Sequence, residues 1–271
     1  MATKKKKKRD ALVGGSLIAL GLLILGALIV LIIVLQPVDR DPNTNCPVDG
    51  PRAIHAIMID RSDPLTPSQV QQVKQHLQRL ISRTAEDTRL DIYSFEGSLT
   101  DVLEPTLTIC APRRPEDIDP WTQGPIPAKE IYRRFADRLN SEVDELLAAH
   151  TQPVSPIIES LRGATQTSFG LVDPREIPLK ITLISDLIQN TRTVSHFRVP
   201  PDFDALQHSN LWSVLRPDFK GAEVEVLYIL RPNAMRSGQP IQNIGHQQFW
   251  EALLIASGGR PLGIWPIGGA Q

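Results

Sequence analysis

The chain has 271 residues, enough for one large α/β domain with appendages and tight for two full domains. The formal net charge of −1 hides an asymmetry: residues 1–10 carry +5, from Lys4 to Arg9 less Asp10, which leaves −6 for the remainder, and an acidic remainder argues against a nucleic-acid-binding groove. Two cysteines without a CxxC, and six scattered histidines, argue against a thiolate or histidine metal centre.

Residues 11–35 read ALVGGSLIALGLLILGALIVLIIVL, with no charged side chain. At ~1.5 Å per residue the run is roughly 37 Å long, sufficient for a ~30 Å hydrocarbon core. It exceeds the apolar part of a cleaved signal peptide and exits through Leu35-Gln36-Pro37-Val38 without a small-residue cleavage pattern. Residues 1–10 therefore read as a basic cytoplasmic tail and 11–35 as one transmembrane helix. The positive-inside rule then makes this a single-pass protein of the inner (plasma) membrane with a periplasmic main domain. Gly15 and Ala19 form a small-xxx-small pair, a possible contact between two copies. Residues 36–52 hold Pro37, Pro42, Pro47 and Pro51 and read as an extended linker, with the main domain at 53–271. Outside the cytoplasm a Cys46–Cys110 disulfide is chemically permitted and would tie the linker to the domain; two separate thiols are the alternative.

Ile54–Asp60 is a continuous apolar run broken only by His55, which suits a strand buried on both faces. Thr66 as N-cap and Pro67 in the first turn start a helix with Val70, Val73, Leu77, Leu80 and Ile81 on one face. Arg89–Glu96 and Val102–Cys110 read as an antiparallel strand pair, Pro105 placing the second at an edge. Residues 111–127, with five prolines and Trp121, read as a long loop. A helix over 128–150 follows, with Ile131, Phe135, Leu139, Val143 and Leu146 as its apolar stripe. Ser155 at the N-cap and Pro156 begin a shorter helix, Ile157–Arg162. Leu179–Asp186 is a second strand that ends in aspartate. Residues 187–215 mix loop with a helix near 204–215, and Ala222–Leu230 is a strand. His246–Ser257 is a helix with Phe249, Trp250, Leu253 and Leu254 inward, and Arg260–Ile267 is a last edge strand. This alternation predicts a doubly wound, mostly parallel α/β sheet with helices on both faces.

Asp60, Ser62 and Asp186 come from two strand ends and Ser155 from a helix start, so one sheet brings their oxygens to one crevice. Carboxylate and hydroxyl oxygens suit a hard cation such as Mg²⁺, or Mn²⁺. The alternative is structural: aspartates at strand ends also cap turns. No P-loop or H-E-x-x-H is present, and no G-x-S-x-G lies outside the apolar run.

These residues resemble a von Willebrand factor type A (VWA) domain of the bacterial membrane-anchored kind. The resemblance spans roughly 54–267 and rests on Asp60-Arg61-Ser62, a mid-chain hydroxyl at a helix start and Ile184-Ser185-Asp186. It also includes Ser-Asp-Leu-Ile-Gln-Asn-Thr at 185–191 and Phe249-Trp250-Glu251. In that family D-x-S-x-S, a threonine and an aspartate hold a divalent metal, whose open position takes a carboxylate from a protein partner. The resemblance carries Asp60, Ser62 and Asp186 onto three of those positions, with Ser155 (or Thr151) at the threonine position. Pro64 stands where the family has its second loop hydroxyl. The implied role is a membrane-tethered protein-interaction module, a scaffold or subunit of an envelope complex; the alternatives are a metal-assisted hydrolase on the same sheet and a metal-free structural platform.

Overall fold

The computed structural model describes residues 17–18, 20–31, 38–95, 97, 103–118, 125–148 and 152–268. The chain divides into two units, residues 1–39 and 40–271. In the first, residues 17–18 and 20–31 are helical and exposed. The expected span at 11–35 falls partly outside the described residues, and no helix among those described is long and apolar enough to cross a membrane.

The second unit is a six-stranded sheet with helices on both faces. In chain order it runs β1 (Ala53–Asp60), α1 (Pro67–Arg83), β2 (Thr88–Phe95), β3 (Leu107–Cys110), a 3₁₀ turn at Pro115–Asp117, α2 (Pro125–Leu146) and α3 (Ile157–Phe169). Then come β4 (Leu179–Ser185), α4 (Phe203–Gln207), α5 (Trp212–Leu215), β5 (Glu223–Ile229), β6 (Met235–Arg236), β7 (Gln239–Pro240), α6 (Ile244–Ala256) and β8 (Arg260–Ile267). The strand order is β3-β2-β1-β4-β5-β8, and only β3 runs antiparallel. The β6–β7 hairpin forms its own small ladder.

Side chains alternate across the central strands and so feed two cores. Ile54, Ala56 and Met58 of β1 pack with Ile181, Leu183, Val224 and Val226 against α3 and α6. Ile57 and Ile59 pack with Ile184 and Leu227 against Val73, Leu77 and Ile81 of α1 and Phe135, Leu139 and Val143 of α2. The α1 start is a full capping box: the Gln69 amide donates to the Thr66 hydroxyl, and the Gln69 side chain accepts from the Thr66 amide. Phe249, Trp250, Leu253 and Leu254 are buried, as the periodicity of α6 predicts.

Three expectations shift. Ile131, read into the α2 stripe, is 51 % exposed, because the buried face begins one turn later at Phe135. The α2 helix begins at Pro125 rather than Ala128: a proline in a first turn lacks only an amide that has no helical partner there. The α3 helix runs to Phe169 rather than stopping at Arg162. Trp121 lies outside the described residues.

Residues 40–52, part of the stretch read as an extended linker, belong to the folded unit. Arg40 pairs with Asp87 at 2.8 Å, the Cys110 amide donates to the Thr44 carbonyl at 2.7 Å, and Cys46 and Cys110 form a disulfide. This segment meets β3 at its last residue, Cys110. On the opposite edge, β8 bulges at Leu262, which has no opposite number between the Val224–Pro261 and Glu225–Gly263 pairs. Arg260 and Ile267 bond back toward β5, so Pro261 and Pro266 face the open side.

Candidate functional site: an oxygen crevice at the strand ends

The central strands β1 and β4 run parallel and end together, so Asp60 and the Ser185-Asp186 pair meet at their carboxyl ends, the position where open α/β sheets bind ligands. Asp60 is the hub. Its Oδ1 accepts from the Ser62 amide at 2.9 Å and the Ser62 hydroxyl at 2.7 Å. Its Oδ2 accepts from the Ser185 hydroxyl at 2.7 Å and the Ser155 hydroxyl at 3.3 Å. Ser62, Ser155, Ser185 and Asp186 are all buried.

Ser155 reaches the crevice because its backbone pairs with Asn190 in the loop after β4. The N-cap position of α3 is held by Pro156, with no side-chain cap, so Ser155 serves Asp60 rather than capping the helix as the sequence predicts. Thr151, the alternative, lies outside the described residues. All four expected residues, Asp60, Ser62, Ser155 and Asp186, thus lie in one cluster, three bonded directly and Asp186 adjacent. No group of three or more His, Cys, Asp or Glu placed to hold a metal ion occurs among the described residues; the cluster is two carboxylates and three serine hydroxyls.

Asp186 is anchored differently. Its Oδ1 accepts from the Ile188 amide at 2.8 Å, and its Oδ2 meets Arg231 Nε at 3.2 Å. The same guanidinium donates to the carbonyls of Pro64 (2.6 Å) and Asp63 (3.0 Å). Arg231 therefore clips the loop after β1 to the loop after β4. Gln242 braces it from behind, accepting from the Arg231 amide and donating to the Asp186 and Ile229 carbonyls. Sequence reasoning missed Ser185, Arg231 and Gln242; only Ser185, inside the quoted Ile184-Ser185-Asp186 motif, left a local signal. Next to Asp186, Leu187 holds a left-handed φ of 60°, and its carbonyl accepts from both His246 Nε2 and Trp250 Nε1. Two side-chain donors offset the strain of a leucine in that region.

Burial, and then the neighbouring Asp60 carboxylate, push the Asp186 carboxyl up to about 7. Asp60 is raised as well by burial, against the pull of its serine donors. Three buried imidazoles move the other way: burial lowers His55 to about 4, His196 to about 3 and His246 to about 4. Between pH 6.5 and about 4 the unfolded chain therefore protonates three histidines that the native chain keeps neutral, and stability falls as pH falls. The two raised carboxyls oppose this, since the native chain holds their protons more tightly. The histidines outnumber the carboxyls, so the net slope keeps the histidines' sign. Equilibrium denaturation should show stability declining from pH 6.5 to 5, and Asp186→Asn should steepen the decline; a flat or opposite slope would contradict this balance.

The geometry defines a doubly wound α/β domain with a carboxylate–hydroxyl crevice at its central strand ends. No family model and no curated protein matches the chain. Eleven chains of solved structures align with it, and two are compared. One is an aerotolerance-related membrane protein from Bacteroides fragilis carrying multiple mutations to serine, at 14 % identity, covering 79 % of this chain and 90 % of that one, with a TM-score of 0.38. The other is the conserved hypothetical protein BatB from Bacteroides thetaiotaomicron, at 16 % identity, 80 % and 91 % coverage and the same TM-score of 0.38. Agreement at that level leaves the reading to the residues themselves.

Proposed function

We propose that the chain is a membrane-tethered VWA-like interaction module of the cell envelope, and that the Asp60 crevice faces its protein partner. The observation that carries this is the convergence of Asp60, Ser62, Ser155 and Ser185 beside Asp186 at the ends of two adjacent parallel strands. The apolar run at 11–35 supplies the tether and the lysines before it the orientation.

Hard oxygen donors fit Mg²⁺ or Mn²⁺, because each serine can give its proton to Asp60 and turn a lone pair to a cation. Asp60, Ser62, Ser155 and Asp186 would hold it, and it would supply an open position for a partner carboxylate. A metal-free reading rests on Arg231, which already sets a positive charge against Asp186. Calorimetric titration of the full chain in lipid nanodiscs with Mn²⁺ separates the two. Binding that disappears in an Asp60→Ala, Asp186→Ala variant supports the metal. No binding by the native chain, with uptake after Arg231→Ala, supports the internal cation. No uptake by either sinks the metal reading.

A further inference from the structure

The face of the sheet that packs on α1 changes character along its strands. Toward the carboxyl ends it is apolar, with Ile57, Ile184 and Leu227 in the core beneath α1 and α2. Toward the amino ends the alternation puts His55 of β1, Lys180 and Thr182 of β4, and Glu223 and Glu225 of β5 on that same face. These side chains and the last turns of α1 line a cavity of about 500 Å³, a size typical of small-molecule sites. His55 stands five residues before Asp60, roughly 16 Å back along the strand, so the cavity is remote from the oxygen crevice.

The charges of the lining specify what it would take. Both of its carboxylates already have partners. His76 of α1 meets Glu225 at 3.1 Å, and the Thr182 hydroxyl, itself 2.9 Å from His55 Nε2, donates to Glu225 at 3.4 Å. Lys180 meets Glu223 at 2.9 Å and Arg260 meets it at 3.4 Å. Hydrogen bonds from His76 and from Lys180 hold the two carboxyls below their usual range, and burial keeps His55 neutral, lowered to about 4. Arg79 and Arg83 of α1 differ. They line the cavity one helical turn apart, and among the described residues neither guanidinium has an acceptor or an ion-pair partner. Like charges four apart on a helix repel, and an anion set between them removes that repulsion. Beside them the wall is apolar, with Leu80, Ile181, Pro178 and Leu262, so a bare inorganic anion would leave most of it unused. An organic cation would meet two unpaired guanidinium groups. A divalent metal finds no set of three His, Cys, Asp or Glu among the described residues to hold it.

We propose that this cavity binds a small organic acid, its carboxylate between Arg79 and Arg83 and its apolar body against Leu80, Ile181 and Leu262. The site is separate from the Asp60 crevice and stands whatever that crevice binds. The test compares hydrocinnamate with its uncharged isostere hydrocinnamamide on the full chain in phosphatidylcholine nanodiscs, with empty discs as the blank, by ligand-observed saturation-transfer NMR titration. The acid should bind about tenfold tighter than the amide, because guanidinium–carboxylate hydrogen bonds are charge-assisted. Arg79→Gln combined with Arg83→Gln, both at exposed positions, should abolish that ratio. Acetate at the same concentration should leave hydrocinnamate bound, since it brings the charge without the apolar body. Ala85→Trp, at an exposed lining position, should block both ligands. Equal affinities, absence of binding, a ratio that survives the double glutamine variant, displacement by acetate, or full binding in Ala85→Trp would each overturn the proposal.

Discussion

Replacing Cys46 and Cys110 together with serine lowers the unfolding free energy by about 4 kcal/mol in non-reducing buffer. The bridge joins residues 64 apart, and in the chain-entropy model a closure of that length removes roughly this much freedom from the unfolded chain. The native contacts around it are modest by comparison. Arg40 meets Asp87, Arg138 Nη1 donates to the Asn43 carbonyl, and Asn45 donates to the Cys110 carbonyl. These hold residues 40–46 in place once folded but constrain nothing in the unfolded state. Denaturant unfolding of the native and double-serine chains, with and without reductant, measures the difference. Reductant should reduce the native chain to the stability of the variant and leave the variant unchanged. A loss below 1 kcal/mol would mean that the non-covalent contacts alone dock the segment.

Arg231→Ala has the second largest expected effect, about 3 kcal/mol at pH 8.5 and about 1 kcal/mol at pH 5. Asp186 is buried and its side chain is 3 % exposed, so losing its cation leaves a charge with no water to replace it. The pH dependence follows from the carboxyl being raised to about 7. Below that value it is neutral in the native chain, and Arg231 contributes mainly its two bonds to the carbonyls of Asp63 and Pro64. Above it the carboxylate is ionised, and the full penalty appears. Chemical denaturation at the two pH values reads this directly. Equal losses at both would mean that Arg231 acts only through the carbonyls. Hydrogen exchange at the amides of Arg61, Ser62, Asp63 and Leu65 should rise in the variant at either pH, because that loop loses its tie to the residue after β5.

The parts of the site that were legible are those whose signal is local. An apolar run ending in Asp60, and another ending in Ser185-Asp186, mark strand ends wherever they occur, and parallel pairing of β1 with β4 then brings them together. Thr66-Pro67 with Gln69 marks the α1 start for the same reason. Arg231 was illegible because its partners lie 45 and more than 160 positions away, and nothing beside it in the chain announces them. Pro64 looked like the loss of a ligand hydroxyl; in the fold its backbone carbonyl is the useful atom, an acceptor that every residue type carries. Helix α3 runs past Arg162 through Gly163, although glycine is a poor helix former. There the glycine answers a packing demand: a Cβ on Gly163 would come within 2.9 Å of Leu103 Cβ, so the helix keeps its length and uses the missing side chain to lie against the segment before β3.

The two margins of the sheet have a consequence for how the molecule can assemble. An open strand margin invites another chain to add a strand, the route to runaway fibre growth in β-rich proteins. Here one margin is met at Cys110 by residues 44–46, stapled there by the Cys46–Cys110 bridge. The other presents Pro261 and Pro266, which have no amide hydrogen to offer, on either side of a bulge. Both margins thus carry features that oppose pairing of copies sheet to sheet. The loops at the strand ends, where Asp60 lies, carry neither device.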